Sequence, residues 1–269
     1  MHFQDLRFAA VPRSLRKLTA VSAVILSCLA AGHARAQTAT TLRIVPPRDI
    51  MLYVHAELKD TDFVEPLVCA LRQVLTAGVD VKDISLPLDS ASLATPTQFD
   101  VSKVSDQFAR ATVWDGGSLT YKYLLLPHDL KDQTYRYVFA MTFPRDHQGV
   151  VSLARLYATN AAVSRHERAV LTALRAYKLI LKSIARLAGL TSSNGCILAF
   201  PRSLDELDAK SSEFCSDDHT LLVDSGLLKA EESGGCALIS QAMPDARDRL
   251  VLQTLTSETR RTSFPGWAR

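Results

Sequence analysis

The residues that carry chemistry fall into a few short groups. His166-Glu167 opens like a zinc-binding His-Glu pair, but the position four residues after the histidine is Val170, which offers no second imidazole. His128-Asp129 and Asp217-Asp218-His219 are possible ligand pairs, without a His-x-His or a second His-x-x-x-His to complete either. His55 and His147 stand alone. Asp205, Glu206 and Asp208 form one acidic cluster that suits a solvated helical face better than a calcium loop. Lys178, Lys182 and Arg186 are spaced at i, i+4 and i+8, which places three cations on one face of a helix. No Gly-x-Ser-x-Gly elbow, phosphate loop or dinucleotide fingerprint occurs.

The element that must hold the three cations is also the best marked. Ser164-Arg165-His166-Glu167 is a capping box, and Val170, Leu171, Leu174, Leu179, Ile184 and Leu187 recur at helical spacing. Gly189 supplies the stop, so a helix is predicted over 164–188. Upstream, Thr41 to Val45, closed by Pro46-Pro47, reads as a strand. Asp62 to Leu75 reads as a helix capped by Asp62, Val81 to Leu86 as a strand, and Val101 to Val113 as a helix. Asp115-Gly116-Gly117 reads as a turn; Tyr121 to Leu126, Tyr135 to Phe143 and Gly149 to Leu156 read as strands. Strands alternating with helices predict an α/β (α+β) domain whose sheet contains some parallel pairing.

Composition narrows the class. The 269 residues include 31 Lys and Arg against 28 Asp and Glu, and 47% are hydrophobic, too many for a disordered chain. Part of the basic excess sits at the N-terminus. Arg7, Arg13, Arg16 and Lys17 precede a 14-residue apolar run from Leu18 to Ala31, and Ala34-Arg35-Ala36 follows. That is the layout of a secretory signal cleaved after Ala36. A bilayer-spanning helix needs about 20 apolar residues, and Leu26 is too bulky for a lipid-attachment site at Cys28. Removing residues 1–36 takes away five basic residues and one acidic residue, leaving a nearly neutral chain with no basic excess for nucleic acid and no membrane span. A secreted or periplasmic protein meets an oxidising compartment, where Cys69, Cys196, Cys215 and Cys236 allow three full disulfide pairings.

Three stretches resemble the archaemetzincins, a family of small zinc metallopeptidases of the metzincin type. Val150-Val151-Ser152-Leu153-Ala154-Arg155-Leu156 resembles the strand before the active-site helix. Leu179 to Leu190, ending in Ala188-Gly189-Leu190, takes the place of the zinc-binding helix. Cys196-Ile197-Leu198-Ala199-Phe200, continuing through Ser203 to Ser211 and on to Phe214-Cys215, resembles the segment from the Met-turn to the second zinc site. The resemblance covers roughly residues 41–218. It implies a metzincin-like single domain, with a mixed sheet packed on helices, over 37–218, and leaves 219–269 as an extension of unknown role. Leu221, Leu222, Leu227 and Leu228 make that extension apolar enough to pack.

The same resemblance argues against peptidase chemistry. The family motif H-E-x-x-H-x-x-G-x-x-H supplies three zinc ligands and a general base. Set against it, this chain has Lys182, Ser183, Arg186, Gly189 and Ser192. Only the glycine survives; Leu198 replaces the Met-turn methionine. Lysine and arginine offer no lone pair to a metal, and two cations about 5–6 Å apart repel one. The second, four-cysteine site keeps only Cys196 and Cys215, with the other positions lost near Ser193 and at Asp218. The resemblance therefore implies a Cys196–Cys215 disulfide in place of that metal, and leaves Cys69–Cys236 as the remaining pair. The implied function is an exported, inactive pseudopeptidase without a cofactor. Its cleft would bind a peptide or protein, with Lys182 and Arg186 favouring an acidic or C-terminal carboxylate group. The alternatives are an active zinc metallopeptidase with a rearranged site drawn from His128, His166 or His219, and a structural envelope protein without a defined ligand.

Overall fold

The computed structural model describes residues 43–157, 164–191 and 195–231. The signal-like segment, Ser192, Ser193 and Cys236 lie outside them. In chain order the elements are β1 (Asp49–His55), α1 (Val64–Val74), β2 (Gly78–Ile84), β3 (Leu93–Thr95), β4 (Gln98–Asp100), α2 (Val101–Ala111), β5 (Thr120–Leu126), β6 (Leu130–Lys131), β7 (Ala140–Phe143), β8 (Gln148–Ser152), α3 (Arg165–Leu187), α4 (Leu204–Ala209) and α5 (Ser216–Asp224). The main sheet has the order β2-β1-β5-β8-β7. Its first four strands are parallel, and β7 pairs antiparallel with β8 at the edge. A small second sheet has the order β3-β4-β6.

The inner strands are apolar on both faces, as a covered parallel sheet requires. Ile50, Leu52 and Val54 of β1, with Tyr121, Tyr123 and Leu125 of β5, face the core shared with α1 and α3. Tyr53, Leu124, Leu126 and Val150 face the other way, toward Val104 and Phe108 of α2. The chain leaves β1 through α1 to reach β2 on one side, then returns through α2 to β5 on the other side of β1. Strand order thus reverses between β1 and β5, the place where α/β sheets open a crevice at the carboxyl ends of their strands.

Several boundaries differ from the sequence reading. The strand expected before Pro46-Pro47 is absent over 43–47; the Val45 N–H donates instead to the Ala188 carbonyl at the end of α3, at 2.8 Å. The true first strand starts two residues past Pro47, where the chain again has N–H groups to give the ladder. Asp62 does not cap α1: Phe63 holds that position, and the Asp62 carboxylate pairs with Arg165 at 2.5 Å. The strand expected over Tyr135 to Phe143 shortens to β7, β2 begins earlier than Val81, and β8 ends at Ser152. The capping box of α3 is present in both directions, with Glu167 N donating to Ser164 Oγ at 3.1 Å and Ser164 N to Glu167 Oε2 at 2.9 Å. Gly189 ends the helix at φ +106°, a left-handed conformation that side chains disfavour.

Residues beyond 218 begin inside α5. Leu222, Leu227 and Leu228 are buried in the α1–α3 core, while Leu221 is exposed. Leu228 bridges to Leu75, and Lys229 N donates to the Val74 carbonyl at 2.9 Å. This part of the tail therefore packs at the end of α1.

Candidate functional site

Helix α3 presents its basic residues in two differently treated groups. Arg175 is buried and grips Asp208 with two hydrogen bonds of 2.7 and 2.5 Å, giving its remaining nitrogen to the Leu156 carbonyl. Lys178, also buried, donates to the carbonyls of Leu207 and Asp208 near the end of α4, both at 2.9 Å, where a cation complements the negative end of a helix. These contacts fasten the segment after α3 onto the helix. One turn on, Lys182 and Arg186 are half-buried. Lys182 Nζ reaches the Ala199 carbonyl at 3.3 Å and lies 5.3 Å from the Phe200 ring centroid; Arg186 reaches the Leu190 carbonyl at 2.9 Å. Burial, with Arg186 adding to it, holds the Lys182 ammonium below its usual pKa.

Lys210 is a member of this group that the sequence reading missed. It is 9% exposed, and its Nζ has no hydrogen-bond partner among the described residues. Burial first, then the charges of Lys182 and Lys178, push its pKa down to about 7. A signal existed: Lys210 follows the amphipathic α4 directly. Nothing local tells that it turns inward rather than outward.

Ser183 points into the fold. It is 6% exposed, accepts a hydrogen bond from Tyr123 Oη at 3.1 Å, and lies 2.8 Å from Thr142 Oγ1 of the edge strand β7. The Tyr123 ring lies against Gly149, where an added Cβ would sit 2.5 Å from it. Ser183 is thereby used to join α3 to the sheet. Tyr135 and Phe200 pair at the surface with ring centroids 5.4 Å apart, 46% and 58% exposed.

Cys196 and Cys215 are bonded, with Cα atoms 5.4 Å apart. The bridge closes the 196–215 segment that carries α4 and Lys210. Cys69 is also disulfide-bonded; Cys236 lies outside the described residues. The acidic cluster has structural partners: Asp208 is held by Arg175, and Glu206 accepts from Arg202 N at 2.6 Å at the start of α4.

At the carboxyl end of the sheet the neighbours His128 and Asp129 take different partners. Asp129 is taken by Arg155, at 2.8 and 2.6 Å, and by Gln98. His128 turns to Glu57, with Nε2 2.9 Å from Oε2, and its ring meets that of His55 edge-on at 5.7 Å. Burial lowers the His128 pKa against the opposing pull of Glu57. His55, Glu57 and His128 together offer three ligand atoms within 4.8 Å of one another; His166 and His219 join no such group among the described residues. Two broad surface hollows lie elsewhere, one beside Val54, Arg72 and Asp83 and the other beside Asp62, Arg165 and His166. Neither includes Lys182.

The fold has solved counterparts. Archaemetzincin from Methanopyrus kandleri superposes with a TM-score of 0.52 at 21% identity, over 66% of this chain and 95% of that one. A zinc-dependent peptidase from Methanocorpusculum labreanum superposes with a TM-score of 0.50 at 22% identity, over 64% and 99%. The chain has an archaemetzincin-like fold. No protein-family model matches the sequence, and no curated protein is significantly similar to it. Among the described residues of this archaemetzincin-like chain, no helix is long and apolar enough to cross a membrane, and the Cys196–Cys215 bridge fits an oxidising compartment.

Proposed function

We infer that the protein is an exported pseudopeptidase whose α3 region binds an anionic group, such as the C-terminal carboxylate of a peptide or protein. The observation that carries this reading is the pair of cations Lys182 and Lys210: among the described residues Lys182 hydrogen-bonds only to the Ala199 carbonyl, Lys210 Nζ has no hydrogen-bond partner, and Arg186 adds a third positive charge beside Lys182. Partly desolvated cations without a counter-charge favour an incoming anion, because the interaction is weakly screened there.

Zinc does not fit at the same place. The two motif positions that would carry ligands hold donors, Lys182 and Arg186, already turned to backbone carbonyls. The position of the general base holds Ser183, whose hydroxyl is engaged by Tyr123 and Thr142. A serine so placed neither holds a metal nor accepts a proton at neutral pH. The edge strand β7, with its outer side unpaired in the main sheet, offers backbone groups to an extended peptide. The exposed Tyr135–Phe200 pair beside Lys182 offers it an aromatic lip.

Two assays test the reading. Internally quenched peptides should stay intact with and without added zinc; zinc-dependent cleavage by the purified chain would contradict it. A fluorescent acidic peptide should bind wild type and lose affinity in the Lys182→Ala, Arg186→Ala double variant. Equal binding to both proteins would remove the role of these two residues.

A further inference from the structure

We propose that His55, Glu57 and His128 form a binding site for a zinc-class divalent ion at the carboxyl edge of the sheet, separate from helix α3. The inference is independent of the reading of α3 as an anion site.

The donor set is two imidazoles and a carboxylate, which suits zinc and its first-row neighbours rather than magnesium or calcium. His55 is the last residue of β1, Glu57 lies just beyond it, and His128 follows the end of β5. Strands β1 and β5 are hydrogen-bonded in parallel, and strand order reverses between them. The three side chains therefore converge where this architecture opens its crevice.

The tautomer of His55 is set for ligation. Its Nε2 lies 3.0 Å from the Leu86 carbonyl, which can only accept, so Nε2 carries the proton. Nδ1 then keeps its lone pair, which accepts from the Glu57 N–H at 3.2 Å and becomes a ligand when an ion displaces that contact. A ring N–H given to a backbone carbonyl is the usual outer support of a metal-bound histidine. His55 is buried and fixed, whereas Glu57 is exposed and His128 half-buried, so the site has one rigid ligand and two that can close on an ion. Phe99 packs on the His128 ring at 4.8 Å, and Ser152 Oγ donates to the His128 carbonyl at 2.7 Å, which steadies that loop. Ligand atoms already within 4.8 Å need only small side-chain rotations to reach a zinc ion at roughly 2.0–2.2 Å. Three protein ligands leave a coordination position open for water or another ligand.

The test is calorimetric titration of zinc into the full chain, purified without a polyhistidine tag and stripped with chelator. Wild type should bind one ion per chain, and cobalt(II) in its place should give the visible absorption of a low-coordinate site. Glu57→Gln and His128→Ala should each weaken binding by at least the ~10–100-fold that loss of a supporting partner costs elsewhere. Glu57 is exposed, so its variant leaves the core untouched. The Lys182→Ala, Arg186→Ala double variant should bind zinc as wild type does. Absence of saturable zinc binding in wild type, or wild-type affinity in Glu57→Gln, would overturn the proposal.

Discussion

Helix α3 and the β1–β5 edge are chemical opposites within one core. Along α3 and just after α4 the charged groups near the former motif are cations: Lys178, Lys182 and Arg186 on the helix and Lys210 beside it, while Asp208 is already held by Arg175. At the sheet edge the groups are lone-pair bearers: two imidazoles and Glu57, with a carbonyl fixing the tautomer of one of them. A zinc ion needs the second chemistry and an anion needs the first. An archaemetzincin-like fold alone therefore does not say where, or whether, a metal sits; the residue types at each place do.

The contrast can be broken from the α3 side most severely. Arg175→Ala should destabilise the chain by about 3–5 kcal/mol, because the Asp208 carboxylate is left buried without its partner. Chemical denaturation measures this, and a loss below 1 kcal/mol would mean that Asp208 finds water or another cation. Removing the Cys196–Cys215 bridge with a double serine variant should cost about 3 kcal/mol, given its sequence separation of 19. It should also weaken acidic-peptide binding, since the bridged segment carries Lys210. Zinc affinity at the sheet edge should survive this bridge removal if the two regions are independent.

A subtler prediction concerns pH. The pKa of Lys210 is lowered from its ordinary 10.5 to about 7 in the fold. The unfolded chain therefore binds more protons than the native one between about pH 7 and 10.5, and this group makes stability rise with pH over that window. Below about pH 7 both states are protonated and the whole penalty applies. Lys210→Met should accordingly stabilise the protein at pH 6, with the advantage over wild type shrinking by pH 9. Thermal melts across that range check it; a constant difference would place the lysine in solvent. An anion bound beside Lys210 should conversely bind more weakly as the pH passes through about 7.

The two regions were not equally legible in the sequence. Helix α3 announces itself through local signals: the Ser164–Glu167 box, the apolar repeat and Gly189. Lys182 and Arg186 follow from that spacing, and the resemblance to archaemetzincins implies the motif positions they would occupy and the Cys196–Cys215 bridge, which is present. The sheet edge has no such signature. His55 and Glu57 lie in β1 and the turn after it, where the sequence shows a lone histidine and no ligand spacing. They meet His128 only because β1 and β5 pair in parallel, a long-range event that no spacing records. Asp129, adjacent to His128 in sequence, goes instead to Arg155 across the strand end. Burial of Lys210 is non-local in the same way, set by the fold of the bridged segment against α3.

The central claim is that cations on α3 select an anionic group. A short peptide with a free C-terminal carboxylate and the same peptide as its amide isolate that claim, because they differ in one charge. Calorimetric titration of both into the full chain should show tighter binding of the free acid, with the preference lost in the Lys182→Ala, Arg186→Ala variant. Equal affinity for acid and amide in wild type, or a preference that survives in the double variant, would contradict the account.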